Sequence, residues 1–273
     1  MKRILRIGLI LLSFAASLAA QTKIVPIVDM KIGGLLGGVQ NGEFFDAKTT
    51  VEKLSAEQNY TLYLPVGKSE NLLLKKPANS QDVCEDFFAL DYSQLADNRH
   101  EKGGVALGDG FRWNPQPRAA KLIDLNSPEY KKIMSGFLRT KRITFPLSKL
   151  TQAMRVDLDG DGQEEVILTA SRVISYEDRK PNARNDEYSV VLVRKIVGGK
   201  PQTIVVGGEF YPKSDAEYDG FTYAVPSVAD LNGDGKMEII LHGEYYEGSS
   251  TQVFEIVGGK ATRVDVLSAD CGV

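Results

Sequence analysis

The sequence is poor in the side chains that most often carry catalysis. It has two histidines, two cysteines and one tryptophan in 273 residues. A histidine-dependent triad or a zinc hydrolase centre would have to be built on His100 or His242, each standing alone in its segment. The G-x-S-x-G sequence of α/β hydrolases is absent as well. These gaps argue against the commonest hydrolase classes and leave carboxylates as the main candidates for chemistry.

Long apolar runs are confined to the first residues of the chain. The stretch "MKRILRIGLILLSFAASLAAQT" begins with three cations, continues with a short apolar core and ends in small residues, which is the layout of an export signal. The apolar core is too short for a good membrane span. We therefore expect residues 1–20 to be a signal peptide, with no transmembrane segment after its removal, and the protein to be periplasmic or extracellular.

An excess of positive charge is also missing. Residues 1–20 hold three cations and no acids, so the formal charge of −3 becomes −6 when they are removed. A chain of this charge lacks the broad basic surface that attracts nucleic acid or anionic membranes. We expect no nucleic-acid partner, and a protein or carbohydrate ligand of unknown identity.

The chain contains two cysteines, Cys84 and Cys271. In an exported protein an even count suggests a disulfide, and two buried free thiols are the alternative. A disulfide would tie the end of the chain to its N-terminal half.

Turn residues and hydrophobic periodicity divide the chain into two regions. Residues 21–144 predict an α+β region of short strands and one helix. The helix is expected over residues 127–141, where Ser127 can cap, Pro128 suits the first helical position and apolar residues recur at helical spacing. Residues 145–273 predict a β-repeat domain. The expected fold class is mainly β, and α+β overall.

The β-rich region repeats itself. The stretch "DLDGDGQEEVIL" at 157–168 returns as "DLNGDGKMEIIL" at 230–241, and the pentapeptide "IVGGK" occurs at 196–200 and 256–260. Each copy predicts an acidic turn, an apolar strand, a loop, a second strand, a Gly-Gly hairpin turn and a third strand. Two related units that stack are the sequence sign of a repeat architecture.

The two acidic turns carry oxygen-bearing residues at alternate positions. Gly162 and Gly235, at position 6, permit a sharp turn, and the residue at position 7 offers its backbone carbonyl. Calcium takes six to eight hard oxygens, magnesium demands a tighter octahedron, and zinc is disfavoured because neither turn contains Cys or His. The candidate calcium ligands are Asp157, Asp159, Asp161, Gln163 and Glu165 in the first turn, and Asp230, Asn232, Asp234, Lys236 and Glu238 in the second.

The end of each turn separates it from an EF-hand. An EF-hand needs a bidentate glutamate at position 12 and flanking helices, but position 12 is Leu168 or Leu241 and the surrounding residues are an apolar β run. The acid at position 9 is therefore the expected closing ligand, in a loop that links strands. A bare hairpin turn is the alternative, since Asp-Gly and Asn-Gly favour turns. Clustered carboxylates, however, repel one another without a cation.

The two turns resemble the calcium loops of FG-GAP/VCBS-type repeats, as in integrin α-chain-like β-propellers. The resemblance implies β blades with two structural calcium sites outside the blade core, held by the ten residues above. It covers about residues 150–273. Since the FG…GAP signature is missing and there are two acidic loops, a partial propeller-like arrangement is expected in place of a full propeller. The chain also resembles exported bacterial proteins carrying such repeats, which implies no specific activity.

Three functions are compatible with these patterns. The first is an exported, calcium-stabilised, non-catalytic β-repeat protein that binds or scaffolds, and another is an envelope assembly subunit with an exposed apolar patch. The third is a secreted hydrolase or lyase acting on polysaccharide, which needs two carboxylates in a deep cleft away from the acidic turns. Candidate residues for a sugar- or protein-binding surface are Trp113, Phe221, Tyr245 and Tyr246, although Trp113 between turns is also typical of a packed anchor.

Overall fold

The computed structural model describes residues 23–66, 70–80, 84, 86–91, 103–145, 150–173, 183–214 and 220–272. The expected signal peptide, residues 1–20, and His100 lie outside these ranges. The protein is mainly β, with 53% strand and 9% helix, as the sequence predicts. Neither helix of the described residues is long and apolar enough to cross a bilayer.

The described chain up to residue 108 forms one eight-stranded sheet. Its elements are β1 Val25–Asp29, β2 Gly34–Gln40, β3 Glu43–Phe45, α1 Ala47–Glu52, β4 Glu57–Tyr63, β5 Glu70–Lys75, β6 Ala78–Asn79, β7 Phe88–Ala89 and β8 Val105–Gly108. The strand order is β5–β4–β8–β1–β2–β7–β6, and β3 also pairs with β2. β1 and β2 are buried along almost their whole length, so the centre of this sheet is covered on both faces.

Helix α1 is a second, shorter helix that the sequence prediction missed. Asp46 caps it, since one carboxylate oxygen accepts a hydrogen bond from Thr49 N at 2.6 Å. Val51 is buried among apolar residues of the eight-stranded sheet. Six residues make less than two helical turns, which is too short for a 3.6-residue periodicity to be visible in the sequence.

The longer helix forms where the sequence predicts it. Strand β9, Lys121–Leu122, precedes α2, Pro128–Thr140. Ser127 is the N-cap residue, but its side chain makes no capping hydrogen bond, so the predicted cap contact is wrong. The buried residues of α2 recur at helical spacing, as predicted, and are Tyr130, Met134 and Leu138.

Two four-stranded antiparallel meanders form most of the remaining chain. The first meander consists of β10 Gln152–Val156, β11 Glu165–Arg172, β12 Glu187–Val197 and β13 Lys200–Tyr211, with β9 paired to β10. The second consists of β14 Thr222–Ala229, β15 Glu238–Tyr245, β16 Gly248–Val257 and β17 Lys260–Gly272. Each contains the predicted succession of acidic turn, strand, strand, Gly-Gly turn and strand, with one further strand ahead of the acidic turn.

The Gly-Gly turns close matching hairpins in the two meanders. Val197 pairs with Lys200, and Val257 pairs with Lys260, so each turn has two residues. All four glycines have positive φ, between 54° and 80°. Such a pair of left-handed residues suits the right-handed twist of the flanking strands, and it favours glycine at both positions. The predicted hairpins are confirmed.

The buried core crosses the expected boundary between residues 144 and 145. Ile27 and Leu36 of the eight-stranded sheet share one apolar cluster with Ile240 and Leu267 of the second meander. The predicted disulfide, between Cys84 and Cys271, spans the same contact, with a Cα–Cα distance of 5.4 Å. The N-terminal sheet and the second meander are therefore joined by both packing and a covalent link.

The two meanders share a core of their own. Met154 and Ile167 of the first meander belong to one buried cluster with Val228 and Ile239 of the second. These residues lie on the strands that flank the acidic turns. Packing of the meanders therefore brings their two acidic turns close together.

Candidate metal centre

The two acidic turns occupy the same place in the two meanders. The first acidic loop, residues 157–165, joins β10 to β11, and the second acidic loop, residues 230–238, joins β14 to β15. Both therefore link adjacent antiparallel strands, as the sequence predicts. The two loops have the same length, and their sequences align without a gap.

An aspartate at position 1 organises each loop. Asp157 accepts hydrogen bonds from Gly160 N at 2.7 Å and Gly162 N at 3.1 Å. Asp230 accepts from Gly233 N at 2.7 Å and Gly235 N at 3.0 Å. The position-6 glycines have φ of 85° and 86°, a left-handed conformation that costs a residue with a Cβ about 1–2 kcal/mol. The predicted role of these glycines in a sharp turn is confirmed.

A buried glutamate at position 9 closes each loop. Glu165 accepts a hydrogen bond from Leu158 N at 2.8 Å, and Glu238 accepts one from Leu231 N at 2.7 Å. Each glutamate is only 1% exposed. Carboxylates are rarely buried this deeply without a partner, because removing the charge from water is costly. The group that each glutamate contacts is therefore the main guide to whether its loop holds a cation.

The first acidic loop gathers three carboxylates. Oxygens of Asp157, Asp159 and Glu165 lie within 4.8 Å of one another, and this group could hold a metal ion. Asp161 and Gln163 are exposed, and one Asp161 carboxylate oxygen accepts a hydrogen bond from Gln163 N at 2.7 Å. The structure thus brings together three of the five residues predicted here.

An ammonium group already contacts two of these carboxylates. Lys195, on β12, places Nζ 2.8 Å from Asp159 Oδ2 and 2.6 Å from Glu165 Oε1, and its side chain is 9% exposed. Burial lowers the pKa of Lys195, but the hydrogen bonds that it donates to both carboxylates, together with their charges, outweigh that effect and raise the pKa overall. Lys195 was not predicted, because it lies 30 residues from Glu165. Its sequence signal is its place just before the repeated "IVGGK".

The second acidic loop has equivalent donors, with Asn232 in place of Asp159, but the structure does not gather three of its carboxylates within 4.8 Å of one another, and no described lysine pairs with its buried glutamate. Asn232 Oδ1 accepts from Asp234 N at 3.0 Å, and Asp234 Oδ1 accepts from Lys236 N at 2.8 Å. The Lys236 ammonium lies 3.6 Å from Asp234 Oδ2 at the exposed rim, so its charge faces solvent as expected. Glu238 Oε1 is buried and has no hydrogen-bond partner among the described residues.

Burial raises the pKa of both deep carboxyl groups in the second loop. Loss of water around Glu238 is the main cause, followed in the same direction by the charges of nearby carboxylates, and its pKa reaches about 8. Burial also raises the pKa of Asp230, which is 2% exposed. A cation at this loop would stabilise the ionised forms. The set of oxygen donors and the unpartnered Glu238 oxygen fit a hard divalent cation.

Side chains from the segment before β9 bind the two loops together. Arg118 donates to the carbonyl oxygens of Asp157 and Leu158 in the first loop and, at 2.7 Å, to that of Gly235 in the second. Trp113 Nε1 donates to Asp230 O at 2.8 Å. Met237 N also donates to Leu158 O at 2.8 Å. The two loops therefore form one connected rim of the molecule.

The aromatic candidates separate into different environments. Trp113 packs against Phe111 at 5.5 Å and anchors the second loop. Phe221 stacks on Tyr223 at 5.4 Å, with Tyr245 at 4.8 Å, while Tyr246 is 64% exposed. A cavity of about 180 Å³ lies beside this stack and is lined by Val206, Gly207, Phe221, Tyr223, Leu241, Gly243, Ser250 and Gln252. None of these lining residues carries a carboxylate.

Comparison of the chain with protein-family models, with curated proteins and with solved structures gives no match. The resemblance to FG-GAP/VCBS-type repeats therefore depends on the loop residues themselves. Function has to be inferred from the geometry of the two loops.

Proposed function

We propose that the protein is an exported, calcium-stabilised, non-catalytic β-repeat protein that binds or scaffolds at the cell envelope or outside the cell. The observation that carries this proposal is Glu238, a buried carboxylate with one unpartnered oxygen at the end of a loop of oxygen donors. An ionised carboxylate buried without a partner is strongly destabilising, which is why burial raises the pKa of Glu238 to about 8. A bound cation removes that penalty and converts it into stabilisation.

Calcium suits the donors better than other common metals. Both loops offer carboxylate, amide and backbone oxygens and contain no thiol or imidazole, which is the ligand set of a hard cation. The sequence predicts two calcium ions, one in each loop. The loops curl around flexible Asp-Gly turns, and calcium tolerates such irregular shells, whereas magnesium requires near-ideal octahedral geometry.

A structural role for the cation follows from what the loops connect. Glu165 and Glu238 are the first residues of central strands, and both also hold the backbone of their own loops. Arg118 links the loops to each other. An ion bound here would fix the ends of four strands. Since it would contact the native state and not the unfolded chain, it would stabilise folding by mass action.

Export is supported by the disulfide and by the expected signal peptide. Disulfides persist in oxidising compartments such as the periplasm and the extracellular medium. Extracellular calcium sites can have dissociation constants as weak as about 1 mM. A protein or carbohydrate is the proposed ligand class. The exposed Tyr246 and the neighbouring aromatic stack provide a surface of the kind enriched in recognition sites.

Thermal unfolding with calcium and with a chelator tests the calcium claim. Calcium at about 100 times its Kd should stabilise the wild type by about 2.7 kcal/mol, or roughly 5–10 °C in midpoint. Asp159→Ala combined with Asp234→Ala should remove most of this shift. Asp265→Ala is the control, because that side chain is 89% exposed on β17 and belongs to neither loop. An identical midpoint in calcium and in chelator for the wild type would refute calcium stabilisation.

A further inference from the structure

The strand register sets one residue of each meander opposite the closing glutamate. Val166 pairs with Arg194 in the first meander, and Ile239 pairs with Phe254 in the second. Continued by one residue, these registers place Lys195 opposite Glu165 and Glu255 opposite Glu238. The position that carries an ammonium in the first meander therefore carries a carboxylate in the second.

In the first acidic loop this opposite residue supplies a positive charge. The Lys195 ammonium lies between Asp159 Oδ2, at 2.8 Å, and Glu165 Oε1, at 2.6 Å. A lysine carries three donors and no acceptor, so it can bind one oxygen of each carboxylate at once. Both oxygens of Glu165 are then paired, whereas Asp159 Oδ1 has no hydrogen-bond partner among the described residues. Two of the three carboxylates of this loop, those of Asp159 and Glu165, therefore already have an ammonium between them. A divalent cation there would have to displace a 9% exposed lysine.

In the second acidic loop the opposite residue, Glu255, adds another negative charge beside Glu238. Two like charges directly opposite on antiparallel strands are destabilising. Glu238 is 1% exposed, and its Oε1 has no hydrogen-bond partner among the described residues, while Oε2 is held by Leu231 N. Together with Glu255, the second loop offers four carboxylates, the Asn232 amide oxygen and the Lys236 carbonyl. Among the described residues no three of these carboxylates lie within 4.8 Å of one another, unlike those of the first loop, and no cation contacts the buried Oε1 of Glu238.

We propose that the chain binds one divalent cation, at the second acidic loop and with Glu255 as an additional ligand, while the Lys195 ammonium replaces the ion in the first. This inference rests on the proposed calcium-stabilised function and changes its site count. The two repeats then use one loop shape with two kinds of cation. The first loop is then stable without calcium, whereas the stability of the second loop depends on the calcium concentration.

The number of bound ions tests the inference. We expect isothermal titration with calcium chloride to give one ion per wild-type chain. Glu238→Gln keeps the size and the Leu231 contact and should lower the count to zero, whereas Asp159→Ala should leave one ion. Two ions in the wild type, or one ion that survives Glu238→Gln and is lost in Asp159→Ala, would overturn the inference while leaving calcium binding intact. No ion at all would overturn the proposed function as well.

Exchanging the opposite residues provides the converse test. Lys195→Met removes the ammonium from the first loop and should raise the number of bound calcium ions to two. Lys260→Met, at the exposed Gly-Gly turn, should leave that number at one. Glu255→Lys should give the second loop its own ammonium, abolish calcium binding and make the unfolding midpoint independent of chelator. Glu255→Gln should weaken calcium by about tenfold or more. Retained wild-type binding in Glu255→Lys would contradict the assignment of Glu255 as a ligand.

Terbium luminescence reports which loop is occupied. The chain has one tryptophan, and a Cβ built on Gly233 would lie 2.9 Å from the Trp113 ring, so the indole covers the second loop. Tb³⁺ bound there should be sensitised by excitation of Trp113 and competed off by calcium. Glu238→Gln should abolish the signal and Asp159→Ala should keep it. The opposite pattern would place the ion in the first loop.

Discussion

His242 Nδ1 lies 3.2 Å from Asp29 Oδ2, and so joins β15 of the second meander to β1 of the eight-stranded sheet. Thr251 bridges the pair, with its Oγ1 2.9 Å from Nδ1 and its hydroxyl donating to Asp29. On its other side His242 Nε2 is 3.5 Å from Glu244, which also pairs with Lys31. Thr251 is fully buried and donates to Asp29, so the cluster is a structural network and not a nucleophilic triad.

This network predicts a loss of stability in mildly alkaline solution. Burial alone would lower the pKa of His242, but the nearby carboxylates of Asp29 and Glu244 raise it to about 9. Protonated His242 therefore contributes its full share of the free energy of unfolding below the unfolded pKa of about 6.5, and this share is lost as pH rises through about 9. It should amount to roughly 3 kcal/mol, measured as the free energy of unfolding at pH steps. The neighbouring imidazolium of His242 lowers the pKa of Glu244 to about 2, so acid should weaken the same pair only below about pH 4.5.

Two histidine variants isolate this effect. His242→Gln should lose most of the slope between pH 6.5 and 9, while His100→Gln, at the chain's other histidine, should keep it. Glu238, with a pKa of about 8, titrates in all three proteins, so the difference between them reports on His242. An unchanged slope in His242→Gln would show that another group is responsible.

Removal of the disulfide should weaken the whole fold. The Cys84–Cys271 bridge closes a span of 187 residues, for which the chain-entropy model gives about 5 kcal/mol. Cys84→Ala combined with Cys271→Ala should lower the free energy of unfolding by a few kcal/mol in denaturant titrations. Reductant should destabilise the wild type and leave the double variant unchanged. Equal stability of the two proteins without reductant would contradict a contribution from the bridge.

Two glycines of the second acidic loop should differ in their tolerance of alanine. Gly233 and Gly235 have nearly the same φ, 82° and 86°, so either substitution should cost about 1–2 kcal/mol of backbone strain. A Cβ on Gly233 would also collide with Trp113, whereas one on Gly235 meets nothing within 4 Å. Gly233→Ala should therefore cost a further 1–3 kcal/mol or so. The comparison is made by unfolding in chelator, and equal losses would exclude the Trp113 contact as a constraint.

Removal of the Arg118 side chain should destabilise the fold more than removal of the shorter Lys121–Glu164 ion pair. Arg118→Met removes three hydrogen bonds to carbonyl oxygens of the two loops, of which Leu158 O keeps Met237 N as a donor, and should cost about 2 kcal/mol. Lys121→Met removes an exposed contact of 2.6 Å with Glu164 and should cost less than about 1 kcal/mol. Both are read from the free energy of unfolding. A larger loss in Lys121→Met would contradict the view that the contacts of Arg118 with the loop carbonyls dominate.

Local patterns were sufficient for the elements around the candidate site. The α2 helix, the two Gly-Gly hairpins and the two acidic loops were all predictable, because each is set by residues within a few positions of one another. The order of the eight-stranded sheet was not predictable, since β8 inserts between β1 and β4 across a long stretch of chain. Helix α1 was missed because six residues show no period.

The sequence by itself determined the strand-rich fold, the spacing of the loop oxygens and the pair of cysteines. It presented the two acidic loops as equivalent, because their ten candidate ligands match position by position. Only the tertiary structure separated them. Strand pairing sets Lys195 against Glu165 and Glu255 against Glu238, and packing brings Trp113 to Asp230 across 117 residues. The charge that a loop meets is decided by neighbours distant in the chain, so matching loops can have different partners.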